Sequence, residues 1–335
     1  MKSNKSIILC AAVFLTTGLN VLGQTPARSV DSYLSTAKAA AGTQWAGTFA
    51  RLCIPPPPAP ARSGAGPAAA APPGGRAAPA RDTWYAEPMK VADNLYFLGT
   101  KGYTSWAIVG SEGIILIEAI FDYAVKDEVI DGMKKLGLDP NKIKYVVLSH
   151  AHGDHDGGAK YLQDTIKGVR LVYGLEDWEL VEQQGANRQG GQPKHDMVGD
   201  DGMVITVGDA SVKVLTMPGH TAGTLSYLFE VRDNGKPMRI AYVGGTAIPF
   251  DGTGEYYNRY IASSRKVAKA AAAYGATALL SNHTEFDNAY FKAHVAAARK
   301  GGEANPFDLG ATGVANYFKV VEDCATAARI RATGK

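Results

Sequence analysis

The stretch YVVLSHAHGDHDGG, residues 145–158, decides the fold of this chain. Three histidines and two aspartates directly follow an apolar run rich in β-branched residues, and such a run predicts a buried strand. Alternate side chains of an extended segment lie on one side, so His150 and His152 can bind one cation together. Asp154 and His155 follow at a glycine-rich turn into a predicted helix. Imidazole nitrogens with a carboxylate oxygen are a typical zinc ligand set, so this segment predicts a metal site.

Two further histidines complete the candidate ligand set in chain order. His220 lies in TMPGHTAGT, just past the apolar strand candidate Val212–Thr216. His283 lies in LLSNHTEFD, just past the strand candidate Ala278–Ser281. A polar loop that is merely rich in histidine is the alternative interpretation of the first motif. It does not account for two more histidines that each follow a strand.

From about Asp93 to the LLSNH segment, the chain resembles the metallo-β-lactamase fold superfamily of zinc hydrolases. The resemblance implies an α/β fold, the four-layer αβ/βα sandwich, in which two sheets pack face to face and helices lie outside. It also implies a dinuclear metal site at one edge of the two sheets, with two Zn²⁺ ions as cofactors. The ligands that it assigns to one zinc are His150, His152 and His220, and those of the second zinc are Asp154, His155 and His283.

The segment that follows the strand Ile240–Gly244 indicates a subgroup. Glyoxalase II thioesterases and acyl-homoserine lactonases carry a metal-bridging aspartate here, and the first subclass of lactamases carries a cysteine. This chain has Gly245 and Thr246, neither of which supplies an anionic ligand. That pattern is similar to the third subclass of class B metallo-β-lactamases, and so is the upstream segment LYFLGTKGYTSWAIVGSEGIILIEA. The resemblance therefore implies a β-lactamase.

One position departs from the family pattern. Relatives usually carry an aspartate at the end of the strand that here reads ILIE, where this chain has Glu118. Carboxylates that lie behind ligating histidines orient them and tune the metal affinity. The longer side chain of Glu118 either reaches a different partner or faces solvent as an ordinary acid at a strand end, and the sequence leaves both open.

Composition divides the 335 residues into four regions. Residues 1–23 predict a cleaved secretory signal peptide, because lysines precede a short apolar stretch that small residues end. An uncleaved membrane anchor is the alternative, but a spanning helix needs about 20 apolar residues. Residues 24–54 predict an N-terminal arm, and residues 55–82 a linker rich in proline, alanine and glycine. Residues 83–335 form the expected hydrolase domain. The expected location is periplasmic or secreted.

The charge of the chain limits the kinds of molecule that it can bind. Cleavage after Gly23 removes two lysines and no acids, which lowers the formal net charge from +3 to +1. A superfamily member that cuts nucleic acid would need a cluster of lysines and arginines for the phosphate backbone, and the sequence has none. The expected partner is a small molecule, with no nucleic acid and no stable membrane insertion after cleavage. The sequence does not predict the oligomeric state.

Two cysteines remain after cleavage, Cys53 before the linker and Cys324 in the helix candidate Val314–Arg331. Disulfides persist in exported proteins, so these two cysteines are predicted to pair. The bridge would join the N-terminal arm to the last helix. Two unrelated thiols are the alternative.

The metals imply the mechanism. Bound zinc lowers the pKa of water from about 16 to about 7, so a zinc-bound hydroxide is the expected nucleophile on the lactam carbonyl. Asp154 is the expected catalytic residue, because it binds the second zinc and can orient the water or accept its proton. Tyr103 and Trp106 are candidates for apolar substrate contacts, and Thr246 and Asn282 for binding a carboxylate. Ordinary packing is the alternative role for these four residues.

Two other functions stay open. A related hydrolase of lactones or thioesters would share the six ligands, since function resides in the site and not in the fold. A secreted zinc-binding protein without turnover is less expected. Four protein ligands normally close a structural zinc site, whereas each set here offers three.

Overall fold

The computed structural model describes residues 28–56 and 78–334. The predicted signal peptide and most of the predicted linker lie outside these residues. Among the described helices, none combines the length and the apolar character that crossing a membrane requires.

The first sheet contains seven strands, which lie side by side in sequence order. They are β1 (Met89–Lys90), β2 (Leu95–Phe97), β3 (Trp106–Gly110), β4 (Gly113–Ile117), β5 (Ile143–Val147), β6 (Arg170–Tyr173) and β7 (Met197–Val198). Strands β1 to β4 are antiparallel, and the pairs from β4 to β7 are parallel. Every residue of β4 is buried, which explains its unbroken apolar sequence GIILI.

The second sheet contains five strands in the order β12-β11-β10-β9-β8. They are β8 (Val204–Val207), β9 (Ala210–Thr216), β10 (Leu225–Asp233), β11 (Lys236–Val243) and β12 (Ala278–Ser281). Only β11 and β12 pair in parallel among these strands. A two-residue turn joins β10 to β11. Its residues Asn234 and Gly235 have φ angles of 51° and 74°, the left-handed conformation that an Asn-Gly hairpin turn requires.

Helices connect the strands and flank both sheets. They are α1 (Val30–Ala41), α2 (Ala46–Cys53), α3 (Arg81–Trp84), α4 (Asp131–Lys135), α5 (Gly153–Asp156), α6 (Ala159–Thr165), α7 (Leu175–Gln184), α8 (Gly254–Tyr274), α9 (Thr284–Asp287), α10 (Ala289–Ala298) and α11 (Gly310–Thr333). A π-helical turn at Lys126–Ile130 leads into α4, and 3₁₀ turns lie at Pro140–Lys142 and Gly185–Asn187.

Three apolar cores separate four layers. The central core lies between the sheets, where Phe97 and Trp106 from the first sheet join Phe229 and Ile240 from the second. A second core packs α1, α2, α8 and α11 on the outer face of the second sheet. A third core packs α4, α6 and α7 on the outer face of the first. This arrangement confirms the four-layer αβ/βα sandwich that the sequence predicted.

The N-terminal arm packs against the last helix. Its helices α1 and α2 contact α11, and the indole Nε1 of Trp45 donates a hydrogen bond to the Gly313 carbonyl at 2.9 Å. Cys53 at the end of α2 is bonded to Cys324 in α11, so the predicted pairing is confirmed. The hydroxyl of the buried Thr48 donates to the carbonyl of Phe286 in α9. The arm is therefore part of the folded domain.

The free energy of unfolding is expected to fall when the bridge is absent. The two cysteines are 271 residues apart in sequence, and loop-closure entropy for so long a loop predicts a loss of up to about 5 kcal/mol. Equilibrium denaturant unfolding of the oxidised protein, the reduced protein and the Cys53→Ser/Cys324→Ser double variant measures it. Equal unfolding free energies in all three would contradict this expectation.

Candidate metal centre

The first ligand motif lies where β5 ends, at one edge of the first sheet. His152 has extended backbone angles and its carbonyl accepts the amide N–H groups of His155 and Asp156, at 2.8 and 2.9 Å. These two bonds start α5 and turn Asp154 and His155 back toward His150. The turn leaves no room for a side chain at Gly157, because a Cβ there would lie 2.4 Å from the Gly153 oxygen. The glycines of the motif thus serve a steric need.

His150, His152 and His220, hereafter the three-histidine group, converge from both sheets. Their candidate ligand atoms lie within 4.8 Å of one another, and the His220 Nε2 is 3.1 Å from the His152 Nδ1. The His220 Nδ1 lies 2.7 Å from the Ala247 carbonyl oxygen, which can only accept. The ring proton therefore resides on Nδ1 and the Nε2 lone pair points into the group.

The three-histidine group fits a metal ion. The His150 Nε2 is buried and has no hydrogen-bond partner among the described residues, and such an orphaned nitrogen is costly unless a cation binds it. Burial lowers the pKa of His150 well below its ordinary value and that of His220 to about 4. Both rings are therefore neutral near pH 7, as metal ligands must be.

Asp154, His155 and His283, hereafter the aspartate group, adjoin the first group. The His155 Nε2 lies 3.1 Å from the His283 Nε2 and 3.3 Å from the Asp154 Oδ2, and the His283 Nε2 lies 3.7 Å from that oxygen. Burial alone would raise the pKa of Asp154, but His155 and His283 bring it below the ordinary aspartate value. The structure thus brings together all six ligands expected from the sequence, in two adjoining sets.

Glu118 lies behind the aspartate group. Its side chain is fully buried, so it is not the solvent-facing acid that was one alternative. Its Oε1 accepts hydrogen bonds from the Tyr242 hydroxyl at 2.8 Å and the Ser149 amide at 3.2 Å, and its Oε2 lies 3.9 Å from the His155 Nδ1. Glu118 therefore reaches partners of its own and acts on His155 by charge. Burial raises the pKa of Glu118 to about 7.

The segment after β11 leaves no space for a further acid. A Cβ at Gly244 would lie 1.9 Å from the Leu225 oxygen, and one at Gly245 would lie 2.9 Å from the Thr224 Cγ2 and 3.1 Å from the His220 Cβ. No carboxylate at residue 244 or 245 can therefore reach the metal groups without displacing their supports.

The four candidate substrate residues have different surroundings. Tyr103 is half-buried, and its ring centroid lies 4.8 Å from that of His283. The Thr246 hydroxyl donates to the Asn282 Oδ1 at 2.7 Å, and both side chains are fully buried beside the ligands, so their substrate role stays a prediction. Trp106 is fully buried in the central core against Phe307. The structure does not place Trp106 at the site, because as the first residue of β3 it points between the sheets.

Two further aromatic residues lie near the site, and the ligand motifs do not indicate them. Phe121 contacts Tyr103 with ring centroids 4.8 Å apart, and Tyr123 stacks on Phe121 at the same separation. The sequence signal was the aromatic pair in AIFDY, directly after the ILIE strand. Glu118 and Ile120 have φ angles of 68° and 50°, and this tight reversal brings the aromatic rings back to the site. Residues other than glycine rarely adopt such angles, so the sequence does not reveal the reversal.

Comparison with known proteins agrees with this geometry. Residues 98–233 match the family model of the metallo-β-lactamase superfamily. BJP-1, a subclass B3 metallo-β-lactamase of Bradyrhizobium japonicum, is 26% identical with a TM-score of 0.61, over 71% of this chain and 92% of that one. The FEZ-1 metallo-β-lactamase from Legionella gormanii is 22% identical with a TM-score of 0.65, over 75% of this chain and 98% of that one.

The curated relatives cover less of the chain. A hydroxyacylglutathione hydrolase from Shewanella sp. (strain ANA-3) is 34% identical over 89 residues, which are 25% of this chain and 30% of that protein. One from Crocosphaera subtropica is 27% identical over 140 residues, which are 40% of this chain and 49% of that protein. The chain spans about a third to a half of the length of these curated relatives.

The two adjoining ligand groups are of the kind that can hold metal ions, and they lie at one edge of a fold that known metallo-β-lactamases share. The chain is similar to the metallo-β-lactamase superfamily, whose family model matches residues 98–233 and whose solved structures share its fold.

Substituting Gly245 by alanine is expected to weaken metal binding by about tenfold or more, as losses of ligand support typically do. The new Cβ would press on Thr224 and the His220 Cβ, and Thr224 cannot rotate away without losing the hydrogen bond that its hydroxyl accepts from the Thr221 amide. Metal dissociation constants measure the effect. Gly301→Ala is the matched control, because a Cβ there meets only open space. The same metal affinity in both variants would refute the steric argument.

Proposed function

We propose that the protein is a zinc-dependent β-lactamase that opens the lactam amide by hydrolysis. The observation that carries the proposal is that the six candidate ligands lie together while residues 244 and 245 leave no space for a bridging acid. The similarity to BJP-1 and FEZ-1 supports it, since each match spans more than nine tenths of the β-lactamase chain.

Two Zn²⁺ ions are the proposed cofactors. The three-histidine group would hold one and the aspartate group the other. Zinc bound there supplies a Lewis acid and lowers the pKa of coordinated water to about 7. Each group offers three protein ligands, and a fourth position left open is typical of catalytic zinc sites.

Protein side chains would carry out the other roles in the proposed reaction. Asp154 is ionised near neutral pH, because His155 and His283 bring its pKa below the ordinary value despite burial. Its carboxylate would orient the attacking water and accept the proton that the water loses. Tyr103 and Phe121 would present apolar ring surface to the substrate beside His283.

The proposed location is the periplasm or the cell exterior, with residues 1–23 as a cleaved signal peptide, 24–54 as the arm, 55–82 as the linker and 83–335 as the hydrolase domain. The Cys53–Cys324 bond supports export, because disulfides persist in oxidising compartments. The proposed partner is a small molecule, a β-lactam or a similar cyclic amide or ester.

The second candidate function is hydrolysis of a thioester or lactone. The matches to hydroxyacylglutathione hydrolases favour it, although they cover at most 40% of this chain in the two relatives described above. Both candidates use the same ligands, so substrates must distinguish them.

Purified mature protein is expected to hydrolyse a chromogenic cephalosporin and a carbapenem with kcat/KM of about 10⁴ M⁻¹s⁻¹ or more. A chelator should abolish this turnover, and added Zn²⁺ should restore it. A lactone and a thioester run in parallel as controls. Turnover of these controls without lactam turnover would support the second candidate, and no turnover of any substrate would support a binding protein.

Asp154→Ala is expected to lower kcat by about 10²- to 10⁴-fold, the usual contribution of a positioned base. Asp154→Asn keeps the size of the side chain and one oxygen but removes the carboxylate that acts as the base. Its kcat should therefore decrease by a similar factor. Bound metal measured alongside kcat separates loss of the base from loss of the ion. The control is Asp164→Ala, an exposed aspartate in α6 that pairs with Lys160. Full metal content with near-full turnover in Asp154→Ala would overturn the assigned role.

A further inference from the structure

Asp177 is a buried carboxylate that the mechanism above does not use. It is the third residue of α7 and only 1% exposed. Among the described residues, no lysine or arginine pairs with it. An unpaired buried charge is costly, so neutral donors must compensate for its burial.

Those donors come from the two loops that carry the three-histidine group. The Asp177 Oδ2 accepts the Ala151 amide at 3.0 Å, and Ala151 lies between His150 and His152. The same oxygen accepts the Thr221 hydroxyl at 2.9 Å, directly after His220. The Asp177 Oδ1 accepts the amide of Gly223, in the same loop as Thr221, at 3.3 Å. One side chain therefore joins both ligand loops.

The two loops follow strands of different sheets. The one with His150 and His152 follows β5 in the first sheet, and the one with His220 follows β9 in the second. Their relative position must be fixed for three imidazoles to share one ion. A backbone bond from the Leu225 amide to the Ser149 oxygen at 2.8 Å also joins them. Asp177 adds charge-assisted bonds beside the ligands themselves, and such bonds are about twice as strong as neutral ones.

We propose that Asp177 is a positioning residue that holds the two loops of the three-histidine group in metal-binding register. It touches neither substrate nor metal, and acts through the backbone of Ala151 and the Thr221–Gly223 turn. Glu118 lies behind His155 of the aspartate group instead. Each metal group thus has a buried carboxylate of its own, and removing Asp177 should affect one group selectively.

The test measures metal binding by the full mature chain. Zn²⁺ is titrated into metal-free protein against a chromophoric chelator, and histidine ring resonances identify which group each constant belongs to. Asp177→Ala should weaken the constant of the three-histidine group by about tenfold to a hundredfold, the range for losses of ligand support, and change the other by less than about threefold. Glu128→Ala is the matched control, since Glu128 is equally buried and accepts the Ala86 amide at 2.8 Å.

A second readout needs no metal. In metal-free Asp177→Ala, the amides of Ala151 and Gly223 should exchange hydrogen faster relative to the other core amides, and in Glu128→Ala they should not. If Asp177→Ala does not fold, Thr221→Val decides. This variant keeps the carboxylate and removes one of its three bonds, together with the contact between the Thr221 and Thr224 hydroxyls. A smaller but selective weakening of the same constant is expected.

A uniform loss of stability with unchanged metal constants would overturn the proposal, and so would equal effects in the Glu128 control. Neither readout involves a substrate. Absence of lactam turnover would therefore reject the proposed β-lactamase activity while leaving this inference intact.

Discussion

The structure depends on one constraint, that several histidine side chains meet where the strands of two sheets end. Facing ring nitrogens lie 3.1 Å apart in both groups, and the His150 Nε2 has no hydrogen-bond partner among the described residues. Burying the His150 Nε2 without a partner is unfavourable by itself, because the nitrogen loses the hydrogen bond that water would give it. The surrounding structure holds this nitrogen in place, and a bound metal ion would supply the partner that it lacks. The protein thus keeps a locally unfavourable arrangement that holds the site in its binding geometry.

The supports of the site come from every layer. Glu118 at the end of β4 faces His155, and the Ala247 carbonyl orients His220 from the segment after β11. The N-terminal arm contributes as well, since Thr48 binds the Phe286 carbonyl in α9, the helix that follows His283. Ligand geometry is therefore a property of the whole sandwich, and short fragments around the motif would not reproduce it.

The sequence revealed features that are local. The candidate ligands and the strands before them were predictable because each histidine follows an apolar run, and the glycines near His155 mark a turn. The sandwich was predictable only through the resemblance to a known family. Contacts between distant segments were not predictable. The burial of Trp106 depends on Phe307, about 200 positions away, and the inward turn of Glu118 requires a φ angle of 68° that sequence patterns do not reveal. The role of Asp177 was not predictable for the same reason, because the two loops to which it hydrogen-bonds meet only in the folded protein.

The bond between Cys53 and Cys324 closes a covalent ring that contains both sheets and all six ligands. Tension applied at the two ends of the chain would pass along the arm, through the sulfur atoms and out along the last turns of α11. The strands around the metal groups would bear none of that load. A single backbone cut inside the ring would likewise leave the two pieces tethered. The bridge therefore protects the site mechanically, whatever it contributes to the equilibrium between folded and unfolded chains.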